Sequence, residues 1–96
     1  MYQIIFTPRA RKDLTKAPLG VQNFIKNTVI AELSADPYKY GIRLHGIFRD
    51  YWKYPFTDKG THYRLVYKID KNKLLVFLII IGTRENFYKE LKRRVK

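Results

Sequence analysis

Tyr2 to Thr7 alternates apolar and polar, with Tyr2, Ile4 and Phe6 on one side, and reads as a first strand. Thr7-Pro8 then has the chemistry of a helix start: an N-cap hydroxyl followed by proline at the first helical position. A short basic helix is predicted to about Lys16, burying Ala10 and Leu14. Pro18 starts a second helix, in which Val21, Phe24, Ile25, Thr28, Val29 and Leu33 recur at helical spacing. Asp36-Pro37 ends it, because the residue before a proline is pushed out of the helical region. These helices are expected as an antiparallel pair lying on a sheet. Tyr38 to Gly46 reads as a loop. Phe48 to Phe56 is aromatic and alternating, with Pro55 confining its end to an edge or bend. Thr57-Asp58-Lys59-Gly60 is turn chemistry. Tyr63 to Ile69 alternates again, Asp70 to Asn72 turns, and Leu74 to Ile81 is a continuous aliphatic run, predicted as the central strand covered on both faces. Gly82 is expected to break that strand and residues 84–96 to close the chain as a helix. Its docking stripe would be Phe87, Leu91 and Val95, with Lys89, Lys92, Arg93 and Lys96 facing away. The order β-α-α-β-β-β-α predicts one α+β domain over residues 1–96. It has a mainly antiparallel sheet of about four strands, two N-terminal helices packed on one face and a C-terminal helix.

Charge changes the picture most. Twenty Lys and Arg against eight Asp and Glu leave a formal charge of +12 on 96 residues. Self-repulsion of that size costs stability, which points to a polyanionic partner: nucleic acid first, an acidic protein next, a membrane surface last. The chain has no cysteine, so a disulfide framework and a Cys-based zinc site are excluded. Two histidines, His45 and His62, are too few for a His-based metal centre without several carboxylates. No phosphate-cradling glycine loop or His-Glu metal helix occurs, so neither metal nor cofactor is expected. No apolar run approaches membrane-spanning length and no signal pattern opens the chain, so a cytoplasmic location is expected.

Strand periodicity places Arg49, Tyr51 and Lys53 on one face of the second strand, opposite Phe48, Trp52, Tyr54 and Phe56. On the third strand Tyr63, Leu65, Tyr67 and Ile69 share one face, and His62, Arg64, Val66 and Lys68 the other. With the aromatic face under the helices, Arg49, Lys53, His62, Arg64 and Lys68 line the opposite surface, and Arg84 reaches its rim. Cations and tyrosines on a sheet suit a single-stranded RNA segment. The same cluster could do chemistry. Cleavage of RNA by its own 2′-hydroxyl needs a proton acceptor, a donor for the leaving 5′-oxygen and positive charge on the crowded phosphate. Clustered cations supply the charge, and their mutual repulsion lowers a lysine pKa toward that of a useful base. An ordinary solvated face of surface Lys and Arg is the competing reading.

The stretch Thr61-His-Tyr-Arg-Leu-Val-Tyr-Lys-Ile-Asp70 is followed by a hydrophobic strand and Ile81-Gly-Thr-Arg-Glu-Asn-Phe-Tyr88. It resembles the RelE/ParE superfamily of bacterial toxins. Leu44-His-Gly46 is similar to that family's Leu-x-Gly before the second strand, and the order of elements agrees over nearly the whole chain. The resemblance implies the toxin of a type II toxin–antitoxin system, a ribosome-dependent mRNA endonuclease of the RelE-like branch that cleaves mRNA in the A site without a metal. By that resemblance Lys53 is the general base, Arg64 steadies the phosphate, Arg84 serves the leaving group or the phosphate, and Tyr88 stacks on the substrate. Pro55 stands where the family often has a second basic residue. Arg49 and His62, on the same face by parity, are the candidates to replace it. Ribosomal RNA would be gripped by Arg9, Arg11, Lys12 and Lys16 on the first helix and by Lys89, Lys92 and Arg93 on the last.

The resemblance also implies partners: the ribosome and mRNA, and a cognate antitoxin with an acidic segment, giving a toxin–antitoxin hetero-oligomer. The antitoxin would cover the basic face or displace the terminal helix, expected as the least stable element. Two other readings stand beside the nuclease. One is a ParE-like inhibitor of DNA gyrase without a nuclease centre; the other is a non-catalytic RNA- or ribosome-binding module.

Overall fold

The computed structural model describes residues 1–85 and 87–94, with the backbone alone at position 87. Strand β1 (Gln3–Phe6) leads into helix α1 (Pro8–Lys16). Thr7 makes the junction: its Oγ1 accepts from the N–H of Ala10 at 3.3 Å and donates to the carbonyl of Leu78 at 2.8 Å. Helices α2 (Leu19–Phe24) and α3 (Ile30–Ala35) are joined without a break by a π-helical turn at Ile25–Val29. The apolar spacing accounts for that turn. Val21, Ile25, Val29 and Leu33 recur every fourth residue and all are fully buried. On a regular α-helix this spacing drifts around the axis, because a turn takes about 3.6 residues. A wider π turn in the middle cancels the drift and keeps all four side chains on the sheet. Asp36 ends the rod, its carboxylate accepting from the N–H groups of Tyr38 and Lys39.

The sheet has five strands rather than about four. The order is β1-β5-β4-β3-β2, with β2 at Ile42–Arg43, β3 at Tyr51–Asp58, β4 at Thr61–Asp70 and β5 at Leu75–Thr83. All neighbours are antiparallel except β1 and β5, which run parallel from Gln3 opposite Leu75 to Phe6 opposite Leu78. The extra strand β2 lies inside the expected loop; two residues carry no period, and only pairing with Lys53 and Trp52 makes them a strand. The aliphatic run, expected as the central strand, is interior but second in the order, flanked by β1 and β4; it begins after Leu74, which turns in with φ of 54°, and passes through Gly82 to Thr83. Strand β3 starts at Tyr51 and not at Phe48. Gly46, at φ of 64°, opens a 3-10 turn at Gly46–Phe48 that carries Phe48 to the other layer. Lys59 and Gly60, both at positive φ, form a two-residue hairpin turn between Asp58 and Thr61. The closing helix α4 spans Phe87–Arg94, and Arg84 precedes it in a bend.

Two apolar layers result. On one face Ala10, Leu14, Val21, Ile25, Val29 and Leu33 pack on Tyr54, Leu65, Tyr67, Val76, Leu78 and Ile81. Cross-strand partners stack within it, Trp52 on Tyr67 at 6.4 Å and Phe56 on Tyr63 at 5.5 Å between centroids. The smaller layer joins Leu44, Phe48, Val66, Ile80 and Leu91, placing α4 on the opposite face. Leu91 is thus the expected docking residue, whereas the Phe87 side chain, Val95 and Lys96 lie outside the described residues. Among the described residues no helix is long and apolar enough to cross a membrane.

Tyr67 locks the long loop after α3. It is fully buried, donates to the carbonyl of Pro37 at 2.6 Å, and its phenol is pushed well above its ordinary pKa by burial. Gly41 crosses directly over it: a Cβ there would sit 1.7 Å from the Tyr67 hydroxyl. Gly41→Ala is therefore expected to destabilise the fold by about 2–3 kcal/mol, as overpacking against a buried, hydrogen-bonded ring does. A urea midpoint within a tenth of wild type would show that the loop yields freely.

Candidate active site on the open sheet face

The register brings the predicted cations together without any long side-chain detour. On β4, Arg64 lies between Pro55 of β3 and Gly82 of β5. Val66, two residues on and on the same face, lies opposite Lys53, so Lys53 and Arg64 are diagonal neighbours. Arg84 arrives from the end of β5, its N–H bonded to the carbonyl of His62 at 2.9 Å. The electrostatics register this proximity. The Lys53 ammonium is held below its ordinary pKa, first by burial and then by the charges of Arg64 and Arg84. A half-buried lysine depressed by two arginines has a greater neutral fraction near physiological pH than a surface lysine.

The cleft itself, about 190 Å³, is lined by Pro55, Phe56, Thr57, His62, Tyr63, Arg64 and Arg84. Gly82 was read as a strand breaker, but its position beside Arg64 gives it a second consequence: a Cβ there would meet nothing within 4 Å, so the floor next to the guanidinium is open. His62 is exposed, with its Nδ1 3.1 Å from the Thr57 hydroxyl across the hairpin. It lines the cleft as parity predicted. Arg49 does not: it closes the 3-10 turn before β3, where its carbonyl accepts from Arg43 at 2.7 Å. Alternation extended back through Asp50 misplaces it, because the chain is turning there. Arg49 therefore cannot stand in for a basic residue at Pro55 by strand parity.

Tyr88 is exposed on α4, with its ring 6.2 Å from Phe48. Phe48 was expected among the aromatics under the helices and is instead the platform beneath Tyr88. Tyr51 and Lys68 share the open face but not the cleft. They line a larger hollow of about 600 Å³ with Thr7, Phe77 and Ile79, four residues along β4 from Arg64, and the Lys68 ammonium sits over the Tyr51 ring at 5.6 Å. Leu91 of α4 packs on Val66 and Ile80, between the two hollows. The smaller hollow is the one lined by both Arg64 and Arg84, whose charges also act on Lys53. Arg9, Arg11, Lys12 and Lys16 are exposed on α1, in the other layer, and Lys89, Lys92 and Arg93 are exposed on α4. These form basic surfaces outside the cleft. Sequence reasoning missed Asp13 and Arg94, which pair across α1 and α4; their separation of 81 positions leaves no local signal.

Chemically, the arrangement offers a depressed lysine beside two guanidinium groups, with the Phe56 and Tyr63 rings in the cleft wall. That set can hold a phosphodiester, stabilise extra charge on it and accept a proton.

The family model of the "ParE-like toxin of type II bacterial toxin-antitoxin system" matches residues 4–92. The toxin RelG of Mycobacterium tuberculosis is 28% identical over 88 residues, covering 92% of this chain and 97% of RelG. A substituted E. coli toxin RelE in the free state superimposes with a TM-score of 0.78 at 29% identity, covering 99% of this chain and 98% of that one. RelE in the intact E. coli RelBE toxin–antitoxin complex gives a TM-score of 0.74 at 30% identity, covering 88% and 99%.

Proposed function

The chain belongs to the ParE-like toxins of type II bacterial toxin–antitoxin systems, and from that premise we propose that it is a ribosome-dependent mRNA endonuclease. The observation that supports this most is the Lys53 ammonium held low by burial and by Arg64 and Arg84 on an open, basic sheet face. In the proposed reaction neutral Lys53 takes the proton of a ribose 2′-hydroxyl. The 2′-oxygen attacks the adjacent phosphorus, the bond to the 5′-oxygen breaks, and a 2′,3′-cyclic phosphate and a 5′-hydroxyl result, the 5′-oxygen taking its proton from water while Lys53 later returns its own to solvent. Arg64 holds the non-bridging oxygens as charge builds on them, and Arg84 lies on the leaving-oxygen side. Tyr88, backed by Phe48, stacks on a base of the codon. None of these groups is a strong acid–base pair at neutral pH, so positioning by the ribosome supplies much of the rate.

The partners proposed are the ribosome, its mRNA and an antitoxin. RelE is seen in complex with its antitoxin, and a charge of +12 here favours an acidic antitoxin segment. Primer extension on mRNA from programmed ribosomes tests the reading: discrete cuts in the A-site codon are expected, suppressed by stoichiometric antitoxin. Intact mRNA together with inhibited gyrase supercoiling would replace it with the ParE-like binding function. Intact mRNA with salt-sensitive ribosome binding would leave a non-catalytic module.

A further inference from the structure

Helix α4 is fastened by a polar clamp that the proposed chemistry does not use. Asp13 Oδ2 accepts from the Arg94 guanidinium at 2.7 Å and from the N–H of Ile81 at 3.1 Å, while Oδ1 accepts from Arg94 at 3.1 Å. Arg94 also donates to the carbonyl of Ile79 at 3.2 Å, and its side chain is only 9% exposed. Glu90, one turn back on the same helix, stands 3.8 Å away. The bond from Asp13 raises the guanidinium's pKa against the opposing cost of burial, so the charge stays in place. One ion pair thus joins α1, β5 and α4.

Its location ties it to the cleft. Ile79 is the residue that the register of β5 skips between the partners of Val66 and Tyr67, Ile81 lies opposite Leu65, and the next residue, Gly82, is the strand partner of Arg64. Arg84 follows two residues later. Tyr88 sits in the first turn of α4 and Arg94 at its end. Between them Leu91 is the one fully buried anchor among the described side chains of this helix. Eight residues do not hold a helix by themselves. A clamp at the last turn, added to the apolar contact of Leu91, fixes the axis of a short rod.

We infer that Asp13 and Arg94 are positioning residues for the cleft: their clamp sets the axis of α4 and so holds Tyr88 on its Phe48 platform, where the proposed chemistry uses it. This rests on the cleft being an RNA-cleaving site. The test uses the full chain as wild type, Arg94→Ala, Arg94→Lys and Asp13→Asn. Hydrogen exchange is followed along the chain, and kcat and KM are measured separately on programmed ribosomes. In Arg94→Ala, protection is expected to persist in β4 and β5 and to fall in α4, while kcat drops about tenfold to a hundredfold and KM changes little. Arg94→Lys should recover part of kcat, since an ammonium keeps the charge but cannot bridge both carboxylate oxygens. Should Arg94→Ala fail to fold, Asp13→Asn supplies the same comparison, because an amide oxygen can still accept from Ile81. Protection of α4 unchanged in the variants would overturn the clamp. A released α4 with undiminished kcat would overturn the positioning role alone. A wild type that cuts nothing would overturn the RNA-cleaving reading instead, which the exchange measurement does not depend on.

Discussion

Arg64→Ala is expected to lower mRNA cleavage on programmed ribosomes by about a hundredfold to a thousandfold, the usual loss when a preorganised donor to developing charge is removed. The folded protein should survive the change. Arg64 is half-buried in β4, and its flanking partners on the sheet are Pro55 and Gly82. Truncating it enlarges a cleft already open to water instead of sealing a void in the core, so the loss of stability should stay below about 2 kcal/mol. Arg64→Lys sharpens the distinction. A point charge restores attraction to the phosphate but not the planar fork that grips two oxygens, so a loss of about tenfold should remain. Cleavage rates set beside urea midpoints check both statements. A midpoint for Arg64→Ala that falls as far as that of Gly41→Ala would make this arginine a structural residue.

That Arg64 could be placed on the open face before any coordinates follows from the sheet's own physics. In β4 Leu65 and Tyr67 are buried under helices and Tyr63 partly so, which forces the alternate positions to the other face. The bulge opposite Val66 and Tyr67 falls in β5 and not in β4, so the parity of the motif-bearing strand is undisturbed. Arg49 failed on the same logic. Its alternation with Tyr51 and Lys53 is real, but the backbone at Gly46–Phe48 is a 3-10 turn, and parity has no meaning across it. Phe48 looks like one more strand aromatic and instead packs with Leu44, Val66, Ile80 and Leu91 in the second layer. Gly82 is a weak strand former that pairing with Arg64 holds in place. The strand β2 and the Asp13–Arg94 clamp were invisible for a common reason. Each exists only through its partner, the neighbouring strand β3 for β2 and a residue 81 positions away for Asp13, and neither leaves a period behind.

Lys53→Ala should slow cleavage by about a hundredfold to ten-thousandfold, the contribution of a positioned general base, and should also remove the rise of rate with pH. The sign follows from the base's role. Only the neutral amine accepts a proton, so the rate climbs as pH rises through the Lys53 pKa. An ordinary lysine would put that climb near pH 10 or about 10.4. Burial first, then the charges of Arg64 and Arg84, draw it downward, toward the pH at which the ribosome works. Arg84→Ala removes one of the two repelling cations while leaving the burial, so its residual activity should show the climb displaced to higher pH, without reaching the ordinary value. Lys53→Arg should rescue nothing, because a guanidinium stays charged throughout this range. Single-turnover rates from about pH 6 to pH 9 read all three outcomes on either side of the physiological range. A climb that persists in Lys53→Ala assigns the base to another group, and His62, on the same face and in the same cleft, is then the residue to replace. A climb that stays put in Arg84→Ala means that the neighbouring cations do not tune Lys53, and that its burial beside Val66 does the work alone.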